Sequence, residues 1–186
     1  MKLNIYNVSH PIIKILSNRI NENETQQNCK YIGLLLVYEI FRKYINLKKI
    51  YIKQIKSIKY YDIINKNKKY FILTNISQTY DMINEIKIIL PQIQIIHIDY
   101  SDIKNIEKSI KDLTINVEKD KILIIEKITK NNTVMNLIQY LTKQKNLQSK
   151  NIYIGSIISN EETLNEIGSY YPKLTVYTTK IIYQNK

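Results

Sequence analysis

Tryptophan is absent from the 186 residues, glycine and proline occur three times each, and Cys29 is the only cysteine. A lone cysteine excludes an internal disulfide and fits a reducing compartment; in helical context it reads as a small buried hydrophobe. Histidine is nearly as scarce. His10 and His97, together with one cysteine and far apart in sequence, are a poor basis for a metal site. No apolar run approaches the roughly 20 residues that a bilayer-spanning helix needs. The first ten residues are too polar for a secretory signal and too poor in arginine and serine for a transit peptide. No repeat or flexible linker interrupts the chain, so one domain over residues 1–186 is expected.

What is present is lysine, isoleucine, asparagine and tyrosine. The formal net charge is +12, and all 28 basic residues except Arg19 and Arg42 are lysine. Such a balance invites a nucleic-acid partner. The lysines are dispersed, however, and arginine, the commoner reader of bases, is almost missing. The favoured residues have A/T-rich codons, so an A/T-biased genome, plastid or reduced bacterial, explains the basicity without a ligand. The expected location is accordingly a plastid stroma or a bacterial cytoplasm. Attraction to an acidic protein surface stays open.

Hydrophobic periodicity sets out the elements. Pro11 suits the first turn of a helix that carries Ile12, Ile13, Ile15, Leu16 and Ile20. A strong helix is expected over about residues 26–44, and a half-exposed strand or hairpin over 50–58. From residue 70 onward, apolar strands alternate with helices. Strands are expected at 70–73, 93–98, 122–125, 152–158 and 174–179. Helices are expected at 80–90, 102–113, 133–143 and 161–168. Fully apolar strands alternating with helices predict a mostly parallel central sheet covered on both faces, the α/β class. Ligands in such sheets sit beyond the carboxyl ends of the strands, here near 74–75, 97–99, 126–132 and 156–160. His97, among isoleucines, reads as a packed core residue, and His10 as a structural residue where the first helix begins.

Four motifs, in order along the chain, resemble those of the uracil phosphoribosyltransferase family. His10-Pro-Ile-Ile-Lys14 resembles the family's HPLVK, and Gly33-Leu-Leu-Leu-Val-Tyr-Glu39 its GSLLTYE. Residues 113–126 resemble LPSNIDERMALIVD, and residues 172–178 resemble PDVELYT. The resemblance implies a phosphoribosyltransferase-type fold, with residues 1–66 as N-terminal helices and a hairpin and residues 67–186 as the α/β core. It also implies an activity that joins uracil to phosphoribosyl pyrophosphate, giving UMP and pyrophosphate, with magnesium.

The regions that would carry that chemistry have changed. The family's phosphate loop, DPMLATGGS, corresponds to Glu126, Lys127, Ile128, Thr129, Lys130, Asn131, Asn132 and Thr133, apparently one residue shorter. Glu126 stands at the first loop aspartate and can still accept from ribose hydroxyls. Asn131 and Asn132 stand at the paired glycines; asparagine tolerates a left-handed backbone but crowds a phosphate that glycine lets approach. Thr133 replaces a serine and can cap the following helix. The two readings of this segment are a polar turn and a weak anion site at a helix N-terminus. The family's PILRAGLGM corresponds to residues 74–82, where Asn75, Ser77, Gln78 and Thr79 remain as a polar loop. Ser77 takes the arginine position and Thr79 that of the next glycine. The family's uracil-reading segment, roughly YIIPGLGDAGDR, has no counterpart before Lys186.

The expectation is therefore a non-catalytic homologue that acts as a binding or interaction protein, a homodimer or part of a larger complex. It needs no cofactor, and magnesium only if the ancestral activity persists. Two alternatives stay open: a divergent active uracil phosphoribosyltransferase, and a regulatory module that binds RNA or a nucleotide.

Overall fold

The computed structural model describes residues 3–18, 25–129 and 133–183. Six parallel strands form the central sheet, in the order β1-β8-β7-β6-β4-β5. They are β1 (Asn4–Asn7), β4 (Tyr70–Thr74), β5 (Gln94–His97), β6 (Lys121–Thr129), β7 (Ile152–Asn160) and β8 (Thr175–Ile182). The fold is α/β, as the alternation of apolar strands and helices predicts.

Alternation within a strand sends neighbouring side chains to opposite faces, and each face has its own core. Leu123 and Ile125 of β6 join Ile72, Tyr153 and Tyr177 in one cluster. Helices α1 (Pro11–Asn18), α2 (Thr25–Tyr44) and α3 (Ile76–Ile89) cover that face. Ile122 and Ile124 join Phe71, Leu73, Ile152 and Val176 in the other cluster, under α4 (Ile103–Ile110), α5 (Thr133–Lys143) and α6 (Glu161–Tyr170). In α2 the buried residues Cys29, Ile32, Leu36, Val37 and Ile40 recur at steps of three and four, so a single stripe meets the sheet. Full burial of one such aliphatic side chain is worth about 1.5–3 kcal/mol. Cys29 is fully buried, as expected, and burial pushes its thiol above its ordinary pKa. Among the described residues no helix is long and apolar enough to cross a membrane.

A separate antiparallel ribbon pairs β2 (Leu47–Lys53) with β3 (Ile58–Ile64), and Tyr51 lies opposite Tyr60. The segment expected as a strand or hairpin is thus a hairpin, longer at both ends than residues 50–58.

Several expectations need correction. β1, in the N-terminal segment expected as helices and a hairpin, is a strand of the central sheet; four residues are too few for a periodicity signal. α3 begins at Ile76 rather than near Tyr80, so Ser77, Gln78 and Thr79 form its first turn and not a loop. β6 does not end at Ile125. It stays paired with β7 through Thr129, opposite Ser159, so Glu126, Lys127, Ile128 and Thr129 are strand residues. Their mostly polar run reads as a turn in sequence, but register with β7 overrides it. His97 is exposed rather than packed in the core. Its Nδ1 accepts the N–H of Ile76 at 3.1 Å, which satisfies a donor at the start of α3. His10 does have a local structural role: its Nδ1 accepts from the N–H of Ile12 at 3.3 Å.

Candidate functional site

From β4 the chain moves outward to β5, then returns past β4 to β6 and runs the other way through β7 and β8. The reversal lies between β4 and β6, and in open α/β sheets a crevice opens at such a point beyond the strand ends. A cleft of about 710 Å³ lies there. Asn75, Ser77, Gln78 and Asp81 line it from the β4–α3 side, Asp99, Tyr100 and Ser101 from beyond β5, and Glu126, Lys127, Ile128 and Thr133 from β6 and α5. Residues from both segments singled out in the sequence therefore meet in one cavity.

The walls are fixed by short hydrogen bonds. Thr74 Oγ1 donates to the carbonyl of Ile125 at 2.6 Å and ties β4 to β6 where the cleft begins. Thr79 Oγ1 lies 2.6 Å from Thr74 Oγ1 and also reaches the Asn75 carbonyl at 2.9 Å. Thr79 is fully buried and does not line the cleft; it fastens the turn from β4 into α3. Asp99 accepts from the N–H of Ser101 and from Asn105 Nδ2, both at 3.0 Å. The backbone donor of Ser101 leads the effects that hold its carboxyl below the ordinary aspartate range.

Glu126 is the central group. It is 6% exposed, and burial pushes its carboxyl up to about 7, opposed by the polar influence of the neighbouring Tyr100 phenol. That phenol accepts the N–H of Asn75 at 3.1 Å, which holds Tyr100 beside both Asn75 and Glu126. Burial, reinforced by the charge of Glu126, keeps Tyr100 protonated by raising its pKa far above the ordinary value. Two oxygens buried just behind the cleft wall, on residues that line it, have no hydrogen-bond partner: Glu126 Oε1 and Asn75 Oδ1. Such orphaned acceptors are uncommon in folded proteins and point to a ligand.

The other expected site residues divide. Ser77 and Gln78 are exposed in the first turn of α3, and Thr133 is exposed where α5 begins. Lys127 alternates with Glu126 along β6 and so projects to the opposite, α2 face, where its charge acts on the Cys29 thiol. Thr129 is outside the cleft. It is buried in a hydroxyl network at the ends of β6, β7 and β8, where its Oγ1 lies 3.1 Å from Ser159 Oγ. Ser159 Oγ in turn lies 2.7 Å from Ser156 Oγ and 3.0 Å from Thr178 Oγ1. Lys130, Asn131 and Asn132 fall outside the described residues. Tyr100, Asp99, Ser101 and Asp81 were not singled out as site residues. The one signal for the first three was their position just past the carboxyl end of an apolar strand.

Among the described lining residues the charged groups are Asp81, Asp99, Glu126 and Lys127, with no arginine or histidine. Among the described residues no group of three or more His, Cys, Asp or Glu side chains converges to hold a metal ion, so a divalent ion finds no ready set of ligands.

Comparison with known proteins places this arrangement. The chain is 27% identical over 187 residues to a uracil phosphoribosyltransferase homolog from Pyropia yezoensis, covering 97% of this chain and 89% of that one. Its fold matches a solved structure of a protein from Aquifex aeolicus with a TM-score of 0.70 at 14% identity, covering 98% of this chain and 89% of the other. The model of the uracil phosphoribosyltransferase family matches residues 7–184, and the chain belongs to that family.

Proposed function

We propose that this protein is a non-catalytic member of its family, a binding or interaction protein built on a phosphoribosyltransferase scaffold. One observation carries the reading: the cleft at the switch point offers acceptors where transfer from a sugar diphosphate calls for donors and cations. Such chemistry works by positioning and by neutralising phosphate charge as the bond to the leaving group breaks. Here Ser77 stands at the position that matches the family's arginine, and among the described lining residues three carboxylates stand with one lysine. β6 also continues as a strand through Thr129, so the first half of the segment that corresponds to the phosphate loop is part of the sheet. On this reading the protein requires no cofactor.

The partner is a second copy of the chain, held through the β2–β3 ribbon and α2. An isolated two-stranded hairpin is marginal in water, and Tyr51 and Tyr60 on this one are 72% and 71% exposed. Light scattering after gel filtration tests the assembly, with a dimer expected and a monomer at micromolar concentration against it.

The decisive assay incubates the protein with uracil, phosphoribosyl pyrophosphate and magnesium and follows UMP. No product above the uncatalysed background is expected. Turnover at an ordinary enzymatic rate, roughly 1 per second or more, overturns the reading.

A further inference from the structure

The chain is strongly basic, yet the described residues that line this cleft are mainly acidic. Asp81 comes from α3, Asp99 from the turn after β5 and Glu126 from β6, so three separate elements bring carboxylates to one space. Among the described lining residues the one cation is Lys127, whose charge acts on Cys29 on the α2 side. Among the carboxylates, Asp99 already has donors from Ser101 and Asn105. Glu126 differs: it is 94% buried by its 6% exposure, and Oε1 has no partner. Asn75 Oδ1 is likewise unpartnered, and the Tyr100 phenol gathers both residues around itself. The missing element is a donor, preferably a cationic one. The three carboxylates line the space without forming a group that could hold a metal ion. An alkylammonium has three donors, carries the complementary charge and needs no fixed coordination geometry.

We infer that the cleft binds a primary alkylammonium, which donates to Glu126 Oε1 and Asn75 Oδ1 while Asp81 and Asp99 supply the attracting field. The cation belongs to a small amine or to a lysine side chain of a partner; the volume of about 710 Å³ suits either. The inference rests on the non-catalytic reading, since a cleft adapted to an ammonium is unsuited to a diphosphate.

Binding has a proton signature. Burial holds the Glu126 carboxyl near 7, so at that pH about half the molecules carry its proton. The groups around it are Tyr100, Asp99 and Asp81, with Lys127 adjacent on its own strand. A cation seated at Oε1 favours the carboxylate, so binding at pH 7 releases up to about half a proton.

The test is calorimetry on the full chain with putrescine, in two buffers of different ionisation enthalpy. N-acetyl-lysine methylamide serves as a second titrant that mimics a lysine side chain. Saturable binding with proton release is expected from at least one titrant. The preferred titrant tells a free amine from a presented side chain. Glu126→Gln should weaken binding about tenfold or more and abolish the proton release. Asn75→Asp should tighten it, which guards against a loss caused by misfolding. No saturable heat from either titrant up to about 10 mM, or unchanged affinity in Glu126→Gln, overturns the inference. Pyrophosphate is titrated in parallel. If it saturates the cleft, the non-catalytic reading loses its support as well; if neither amines nor pyrophosphate bind, the ammonium site alone is lost.

Discussion

Gly33 of α2 lies directly against the backbone of Met82 in α3: a Cβ at residue 33 would stand 2.6 Å from both the Cα and the carbonyl oxygen of Met82. The two helices touch main chain to main chain, and glycine alone leaves room. Because the obstacle is backbone, no rotamer change relieves it. Gly33→Ala should cost about 1–3 kcal/mol or more through overpacking, read as a lower midpoint of chemical denaturation. Truncating Met82 should not rescue it, because the clash is with its Cα and carbonyl.

Glu126 should make stability depend on pH in an unusual direction. Its folded carboxyl lies near 7, above its ordinary value of 4.5. Between those limits the folded protein binds more protons at this site than the unfolded chain does. Stability contributed here is full below about pH 4.5 and is lost as pH rises through about 7. Glu126→Gln should therefore stabilise the protein at pH 8 by up to about 3 kcal/mol, with the gain fading toward pH 4.5. Denaturation curves of both proteins at pH 4.5, 6 and 8 measure the difference; a gain independent of pH would contradict the assignment.

Asp120 should be among the costliest polar residues to remove. It is 3% exposed, and its Oδ1 accepts the N–H of Lys69 at 3.0 Å while Oδ2 accepts that of Asn116 at 2.7 Å. The carboxylate thus anchors the segments leading into both β4 and β6. Asp120→Ala orphans two backbone donors and should cost about 2–4 kcal/mol, measured by urea denaturation. Asp120→Asn keeps the acceptor on one side only and should fall between.

The hydroxyl network below the strand ends should behave as a unit. Thr129, Ser156, Ser159 and Thr178 are all fully buried and bond mainly to one another. Ser159 touches the other three or their partners, so Ser159→Ala should cost about 1–3 kcal/mol. A double mutant with Thr178→Val should cost less than the sum of the single changes, because a network deleted whole leaves fewer orphans.

The sheet was legible because it is written in long apolar runs. Residues such as Ile122 to Ile125 have no plausible place except between two covered faces, and the helix at Thr133 begins where the periodicity does. The clefted end was less legible. Glu126 to Thr129 are mostly polar, which suits a turn as well as the end of a buried strand, and only pairing with Ser156 to Ser159 decides. The partition of Ser77 and Thr79 between the cleft and a buried anchor depends on one residue of helical phase. Tyr100 could not be assigned to Glu126 from sequence, because their meeting is a product of the β4–β6 crossover.

The neighbourhood of β1 and β8 bears on how the molecule is made. Asn4 lies in register with Thr175, so β1 pairs with β8, the strand of the sheet farthest from it in sequence. Contacts of such long separation close the largest loop and are the slowest kind to form. The four residues of β1 therefore cover a margin of β8 that would otherwise be an open edge, ready to accept a strand from another molecule.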